Sequence, residues 1–508
     1  MRPGLVLVPV LIASLAGWLV AAGEPAWGEP ATFSALIGQA AGLADQPALA
    51  IWAGHPDQTI DEGDSPSSTR DQGTASEAWG LAGPASPPLT VAEAVAQALA
   101  HHPRLEEARA GLAASRARVR QAQAAFWPSV VAAADYEEKD LPLSALGMGP
   151  LLRGPLTPPR LHSVVWRRGA GFRMPLWRGG RDQAALAAAR LEQRGQEFAL
   201  AEVETDLTAL TIEAYIEVEK ARELVQSAEE HEAATRAQLD RIARTVEAGL
   251  AVKYDRLQIE VRLEAARETR LVARHALETA RTALNLARGA APDAPVSTRP
   301  IVAFPLATGT LDELTADLLA RHSGLQQARQ RAAEARQLER WERAGHRPEA
   351  TLQGSLSNYG ADHPPRERGW TVTGTIEWKL FDGGWQQARV EEARQKRRQA
   401  EAAVADLERE LRAALEKAWL AQESARQRLA VTRKGLELAS EQMRLADIQR
   451  EAGYLTVVDL LDKQAELTQA RVAMIGARYD TYLSALALWR LTGRLSPDLV
   501  AAIDQAEP

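Results

Sequence analysis

The chain is organised around one long segment that occurs twice. It runs from Gly180 to Gly249 and again, 204 positions later, from Gly384 to Gly453. Neither copy contains a proline between its two glycines, which lie 69 positions apart. A helix of that length would be roughly 100 Å long, about three times the diameter of a small domain. A helix of this length does not fit an ordinary domain and needs a special explanation.

The composition and spacing of both copies predict helix. Ala, Leu, Glu, Gln and Arg, which are strong helix formers, dominate them. Apolar residues recur at spacings of three and four, as in coiled coils. They are Leu200, Val203, Leu207, Leu210 and Ala214 in the first copy, and Leu407, Leu411, Ala414, Ala418, Ala421 and Ala425 in the second. The glycine at each far end fits a helix C-cap. This rhythm alone favours an ordinary long coiled coil.

Each copy is preceded by a helical pattern that ends at a proline and then by a pair of strands. A helical pattern starts at Thr90 with Glu93 in capping-box spacing, runs on to Phe126 and stops before Pro128. A related pattern ends at Pro348, at an offset of 220. We attribute the difference of 16 between the offsets to a loop between Tyr136 and Leu161.

After each proline, apolar residues alternate with polar ones, as in a half-buried strand. The clearest case is Trp370, Val372, Ile376, Trp378 and Leu380, and the weaker case is Val164, Trp166, Phe172, Met174 and Leu176. A turn-rich stretch from Asn358 to Arg368 lies between the strands of the second hairpin. Each unit therefore reads as helix, strand, strand, long helix, glycine turn and a helix of about 40 residues.

Tryptophans concentrate at these hairpins. Six of the 13 lie in or beside them: Trp127, Trp166, Trp177, Trp370, Trp378 and Trp385. Tryptophan is enriched at membrane interfaces, so we predict Trp166, Trp177, Trp370 and Trp378 as interface aromatics. The alternative is that they pack a small β-core. Four strands cannot close a barrel, which needs about eight. A membrane sheet would therefore be shared, and three chains would supply twelve strands.

The N-terminus reads as an export segment. Residues 1–23 combine Arg2, an apolar run and small residues, the pattern of a signal peptide, with an uncleaved anchor as the alternative. Residues 24–88 are rich in Pro, Gly and Ser without any period, and predict a disordered extension. No run of about 18 apolar residues occurs later in the sequence, so we expect no further transmembrane helix.

Composition excludes several classes of function. The net charge is −7 without a basic stripe, so nucleic acid is not an expected partner. The absence of cysteine excludes disulfides and thiolate chemistry. The nine histidines form no metal motif, and no phosphate loop or nucleophile motif occurs. We therefore expect no enzyme, no cofactor and no metal site.

Several motifs together resemble the TolC family of outer-membrane efflux and secretion channels over residues 89–495. They are the opening Leu89–Val95 with His102-Pro103, the prolines Pro128 and Pro348, the segment Leu380–Gly384 and the tip segment Glu451–Asp462. The resemblance implies an α+β membrane protein with two internal repeats, 89–289 and 311–493, a linker 290–310 and a tail 494–508. Long antiparallel helical hairpins would form an α-barrel in the periplasm, and four strands per chain would complete a trimeric 12-stranded barrel in the outer membrane.

The resemblance also implies partners. The homotrimer would be a passive exit duct in outer-membrane lipid, recruited by a periplasmic adaptor and served by an inner-membrane transporter of the RND, ABC or MFS type. The sequence leaves cargo and transporter undetermined. The alternative from another class is a periplasmic coiled-coil scaffold without channel activity, against which the alternating strand Trp370–Leu380 argues.

The resemblance assigns roles at the hairpin tips. It implies that Asp459 and Asp462 form a pore constriction, whereas their place in the first turns of a helix also suits capping carboxylates. Asp255 matches a gate-link aspartate. Arg450 stands where relatives carry a gate tyrosine and Leu455 where they carry an arginine, so we hypothesise an Asp255–Arg450 gate link.

The two turns at the tips would face the adaptor. The resemblance implies contacts by Gly249, Leu250, Gly453 and Tyr454. The alternative, which is compatible with the first, is that the glycines only reverse the chain.

Overall fold

A computed structural model describes residues 88–142, 160–248, 252–361 and 365–505. The predicted signal peptide, all but the end of the predicted extension, and the tip residues Gly249 and Leu250 lie outside these ranges. The helices are α1 Val91–His101, α2 Pro103–Ala124, α3 Arg181–Glu247, α4 Lys253–Ala287, α5 Leu311–Arg321, α6 Ser323–Ala344, α7 Trp385–Glu451, α8 Val457–Leu491 and α9 Pro497–Gln505. The strands are β1 Ser129–Pro142, β2 Arg160–Arg178, β3 Glu349–Gly360 and β4 Glu367–Glu377.

The helices recur in pairs of equal length. Helices α3 and α7 have 67 residues each, and α4 and α8 have 35 each. Helices α1 and α5 have 11 residues each, and α2 and α6 have 22 each. Gly180 and Gly384 stand at the N-caps of the two long helices with φ of 91° and 87°, a left-handed conformation that suits glycine. The two long helices predicted from the glycine spacing are confirmed.

The prediction of one helix from Thr90 to Phe126 is wrong, because the helix is interrupted at His102. Pro103 has no N–H group and disfavours a helical residue before it. His102 is accordingly extended, with φ −76° and ψ 127°, and its Nδ1 accepts a hydrogen bond from the Arg104 N–H at 3.2 Å. His322 separates α5 from α6 in the same way, although Ser323 follows it rather than proline. The predicted capping box at Thr90 and Glu93 is present.

The strands extend further than predicted. Strand β1 continues to Pro142 and β2 begins at Arg160, so the predicted loop from Tyr136 to Leu161 is shorter at both ends. Strand β3 reaches Gly360 inside the predicted turn-rich stretch. The reason is pairing: each strand continues the ladder of its neighbour in register, and this context outweighs local turn propensity.

The four strands form one antiparallel sheet in the order β1-β2-β3-β4. The register of β2 with β3 shifts between Pro175 and Trp177. Proline cannot donate to a ladder, so it is found at such irregular positions. Strands β1 and β4 are the two edges of the sheet and pair with no further strand among the described residues.

The main core surrounds the middle of α3. Tyr215 and Ile212 on α3 are fully buried among residues of α1, α4, α5, α7 and α8. The segment 290–310 also enters this core, with Phe304 stacked on Tyr482 at 5.4 Å between ring centroids. The Tyr215 hydroxyl lies 2.7 Å from the carbonyl oxygens of both Leu89 and Arg299. The predicted linker is therefore a packed part of the fold.

The predicted C-terminal tail contains a docked helix. Val500 and Ile503 of α9 are buried against the main core. Asp504 accepts hydrogen bonds from the N–H groups of Val91 at 3.0 Å and Ala92 at 2.8 Å. The end of the chain thus caps the first turn of α1, where a carboxylate is favoured by the helix dipole.

Candidate functional site

The sheet has one continuous apolar face. Directly opposed residues of antiparallel strands project to the same face. One row across the sheet is Ala132, Ala170, Leu356 and Trp370, and the next row is Val130, Phe172, Gly354 and Val372. Trp370, Val372 and Ile376 are 76%, 59% and 80% exposed. Nothing in the described part of the chain covers this face, whose chemistry suits lipid.

The opposite face of the sheet is polar. Thr371, Thr373 and Thr375 alternate with the apolar residues of β4. Ser355 of β3 and Thr371 share a hydrogen bond of 2.8 Å between their hydroxyl groups. Strands that alternate between apolar and polar residues in this way are typical of transmembrane barrels with a wet interior.

The four predicted interface tryptophans lie at two levels along the strands. Trp177 and Trp378 lie at the end that joins the helices, and the Trp378 Nε1 donates to the His346 carbonyl at 3.0 Å. Trp370 and Trp166 lie toward the free end, where Trp166 packs against Tyr136 with 4.7 Å between ring centroids. The eight steps from Trp370 to Trp378 span about 26 Å at ~3.3 Å per residue. Strands of such barrels tilt by about 40°, which leaves roughly 20 Å along the membrane normal, against a height of about 25 Å for an outward apolar band between aromatic girdles. The interface role of these residues stays a prediction.

The second tip is a glycine turn between α7 and α8. Gly453 has φ of 80° and donates its N–H to the Arg450 carbonyl at 3.1 Å, and the Tyr454 N–H donates to the Gln449 carbonyl at 2.9 Å. This is the geometry of a glycine-terminated helix. The Tyr454 side chain is 87% exposed beside it. The turn therefore has a structural role, and its exposed tyrosine is available to a partner.

The two aspartates predicted at the constriction have different surroundings. Thr456 caps the start of α8: the Asp459 N–H donates to Thr456 Oγ1 at 3.2 Å, and that hydroxyl donates to Asp459 Oδ2 at 2.6 Å. Asp462 instead forms an ion pair of 2.8 Å with Arg262 of α4. Within one chain the Asp459 carboxylate lies in the first turn of α8 and accepts from the Thr456 hydroxyl, and Asp462 joins α4 to α8. A shared role of both in a constriction stays a prediction.

The predicted gate link does not form within the chain. Asp255 lies in the first turn of α4 and Arg450 in the last turn of α7. No ion pair or hydrogen bond joins their side chains in the part of the chain that the structure describes. The cross-helix ion pair near this tip is Arg262–Asp462, beside the apolar contact of Ile242, Ile259 and Leu461. A contact of Asp255 with Arg450 of another copy stays a hypothesis.

Ionic contacts that the sequence did not predict join α3 to α8. Glu223 of α3 pairs with Arg478 and accepts from the Tyr479 hydroxyl at 2.8 Å, and Glu230 pairs with Arg471. The two acids are seven positions apart on α3, and the two arginines are seven positions apart on α8. This spacing suits antiparallel helices with a heptad repeat. The spacing was a usable signal, but it does not say which helices are neighbours.

A third contact of the same pair of helices involves a histidine. His231 Nδ1 of α3 lies 3.2 Å from the hydroxyl of Thr468 on α8. Burial lowers the pKa of His231, so its neutral form is favoured there.

Two outer helices carry exposed apolar stripes. On α7, Val431, Leu438 and Leu445 are exposed and seven positions apart. On α4, Val261, Leu271 and Val272 are exposed. A stripe with heptad spacing normally faces another helix. The described residues place no helix over either stripe.

The described residues contain no cluster of His, Asp or Glu side chains that could hold a metal ion. Among the same residues, no helix has the length and apolar character needed to cross a membrane.

The chain combines long paired helices with a sheet that has one apolar and one polar face. This combination is the architecture of an outer-membrane channel. The chain belongs to the outer membrane efflux protein family, whose model matches residues 94–290 and 314–494. It is therefore an outer-membrane efflux channel protein with a periplasmic extension, and not an enzyme.

Individual relatives agree with this assignment. The chain is 23% identical over 433 residues to the outer membrane efflux protein BepC of Brucella suis, covering 82% of this chain and 88% of that protein. It is 26% identical over 468 residues to the protein CyaE of Bordetella pertussis, covering 88% and 95%. Its fold is similar to that of the outer-membrane channel OprN, with a TM-score of 0.70 and 21% identity, covering 79% of this chain and 89% of OprN.

Proposed function

We propose that this chain is one third of a passive exit duct, a homotrimer that conducts substrates across the periplasm and outer membrane. The observation that carries the proposal is the four-stranded sheet with one apolar face, one polar face and two free edges. Free edges are too costly in hydrocarbon, because every unpaired backbone group there lacks a partner. Pairing β1 of one chain with β4 of the next removes them, and three chains give twelve strands.

The helices support the same assembly. The exposed stripe on α7 and the exposed residues on α4 lie on helices at opposite edges of the packed set, since α4 packs on α3 and α7 packs on α8. Contact of one chain's α7 with the next chain's α4 would bury both and continue the ring of helices. Two units whose helices are equal in length, 89–289 and 311–493, would then each supply one hairpin of the tunnel wall. In this assembly residues 1–23 would direct export and residues 290–310 would link the two units. The segment 494–508 would contribute helix α9, which packs on the main core.

We further propose that the duct works in a tripartite efflux or type I secretion system. A periplasmic adaptor would contact the tips at Gly249, Leu250, Gly453 and Tyr454, and an RND, ABC or MFS transporter in the inner membrane would supply the substrate. The exposure of Tyr454 beyond the glycine turn supports a contact at the second tip. Family membership and the outer-membrane location argue against the periplasmic scaffold.

The test is to express the full-length chain in a strain that lacks its own exit duct. We expect outer-membrane trimers by light scattering in detergent, sheet as well as helix by circular dichroism, and recovery of drug tolerance or protein secretion. A single-chain particle would overturn the trimeric duct. Stable trimers that restore neither activity would overturn the tripartite assignment while leaving the channel itself standing.

A further inference from the structure

The apolar face of the sheet ends in a row of cationic and polar side chains near its free end. In this row Ala134 of β1 faces Arg168 of β2, Arg168 faces Asn358 of β3, and Asn358 faces Arg368 of β4. The row follows directly on that of Ala132, Ala170, Leu356 and Trp370 and projects to the same face. Two arginines therefore stand on the surface that is otherwise apolar.

These arginines have no anionic partner among the residues that the structure describes. Arg168 and Arg368 are exposed, and neither makes an ion pair or a side-chain hydrogen bond in the part of the chain that the structure describes. By contrast, Arg178 farther along β2 is paired with Asp182. Two carboxylates, Glu138 and Asp140, lie on the same face beyond the row. Glu138 accepts from the Tyr136 hydroxyl at 2.7 Å and lies 3.7 Å from His162 Nε2. Among the described residues, nothing compensates the positive charge of the row.

The depth of these arginines relative to the membrane determines which lipid groups they can contact. A cation on the lipid face of a barrel costs about 2–4 kcal/mol at the membrane midplane and ~0–1 kcal/mol near the interface. The row lies between the aromatic pair Tyr136–Trp166 and Trp370, at the level of an aromatic girdle. The helices leave the sheet at the other end, so this end points to the cell exterior. The row therefore lies at the headgroups of the outer leaflet.

The geometry of the row fits a phosphate group. Arg168 and Arg368 are two strands apart, roughly 10 Å at about 4.8 Å per strand, with the Asn358 amide between them. Guanidinium groups on flexible stems can converge across that distance, and arginine binds phosphate with paired hydrogen bonds. Flanking aromatic rings supply apolar contact for the acyl part of a lipid.

We propose that the Arg168–Asn358–Arg368 row binds the phosphorylated headgroup of an outer-leaflet lipid. The inference rests on the proposed function, because it requires this face of the sheet to meet the membrane. It adds a lipid-binding site, three per trimer, that the role of a duct does not itself require.

The experiment uses the full chain in detergent, titrated with bisphosphorylated lipid A and followed by native mass spectrometry. The double variant Arg168→Gln and Arg368→Gln removes both charges and keeps polar side chains of similar length. We expect it to bind the lipid roughly tenfold or more weakly, since each cation near a charged lipid surface contributes about 1 kcal/mol. The charge-conserving double variant Arg168→Lys and Arg368→Lys should retain most of the binding.

The matched control is Arg167→Gln, because Arg167 is the neighbour of Arg168 on β2 and projects to the polar face. It should bind like the native protein. Equal losses in Arg167→Gln and the double variant, native-like binding by the double variant, or equal binding of dephosphorylated lipid A would each overturn the inference. Displacement of the lipid by millimolar inorganic phosphate would overturn it in favour of a free-anion site.

The outcome is separate from that of the proposed function. Trimer formation and outer-membrane fractionation are measured on the same variants. Native-like trimers with unchanged lipid binding would reject the lipid site and leave the duct intact. A native protein that forms no trimer would reject the duct.

Discussion

His322 caps helix α6 through an imidazole nitrogen, which makes this joint sensitive to protonation. Its Nδ1 accepts a hydrogen bond from the Leu325 N–H at 3.4 Å. Burial is the main cause that lowers the pKa of His322, with Arg490 acting in the same direction and Asp206 against it. A protonated ring could not accept this hydrogen bond, and its charge would oppose the positive end of the helix.

The sign of the pH dependence follows from that lowered pKa. The folded state favours neutral His322, so its contribution to stability is complete above the ordinary pKa of about 6.5. The contribution is lost as pH falls from there through the lower folded pKa. We expect the native protein to become less stable at this joint as the pH falls from 7.5 to 5.0, and His322→Asn, which caps without titrating, to lose less. Thermal unfolding at pH 7.5 and 5.0 measures the difference.

The control for this prediction is His275→Asn, because His275 is exposed on α4 and caps no helix. It should show the same acid loss as the native protein. An identical pH dependence in His322→Asn and His275→Asn would contradict the prediction.

The Arg262–Asp462 ion pair is the second prediction at the residue scale. The two side chains are 38% and 54% exposed, so solvent screens the pair, and such pairs contribute about 0.2–1 kcal/mol. If the pair holds α4 to α8 at the tip, Arg262→Ala should raise open time in a planar bilayer by at most about fivefold. High salt should reduce the difference.

The charge-exchanged variant, Arg262→Asp with Asp462→Arg, should restore native open time. Arg256→Ala is the control, because Arg256 pairs with Glu260 inside α4 at 2.9 Å and joins no second helix. A longer open time in the control than in Arg262→Ala would refute the role of the cross-helix pair.

At the scale of elements, local signals set where helices begin and end, and remote contacts decide how they dock. The glycines at Gly180 and Gly384 start the two long helices, and Gly453 ends the second. These positions follow from backbone conformation and are visible in the sequence. The docking of α9 is not visible in the sequence, because no periodicity in its nine residues indicates that α1 is the partner.

We predict that Asp504 contributes to the stability of α1. Asp504→Ala removes the acceptor for two N–H groups at the helix start, which should lower the free energy of unfolding by about 1–2 kcal/mol. Denaturant unfolding followed by helical circular dichroism measures this. Asp498→Ala on the same helix is the control, since Asp498 is exposed and caps nothing outside α9. Equal effects of the two substitutions would show that the cap to α1 is not the cause.

At the scale of the whole molecule, the exposed stripe on α7 has no partner helix among the described residues, and the proposed trimer would bury it. Burying a leucine contributes about 1.5–3 kcal/mol, and each substitution acts at all three interfaces of a trimer. We expect Leu438→Asp with Leu445→Asp to shift the detergent-solubilised protein from trimer to single chains in light scattering.

Ser440→Asp adds one acid at an exposed position on another side of α7 and should leave the trimer intact. Intact trimers in the double leucine variant would mean that this stripe is not the contact between chains.

The sequence by itself determined the periodic features of this protein. Residue spacing predicted two long helices, their glycine turns and a strand alternating at Trp370 and Val372, because these depend on neighbours along the chain. Family motifs predicted the aspartates at the tip but not their partners.

Only the tertiary structure decided the contacts between distant residues. It separated Asp459, whose carboxylate accepts from the Thr456 hydroxyl, from Asp462, a partner of Arg262, and it placed Arg168 and Arg368 in one row. The physical reason is that ion pairs and sheet rows depend on distances between elements. Those distances follow from packing and strand register, which local periodicity leaves open.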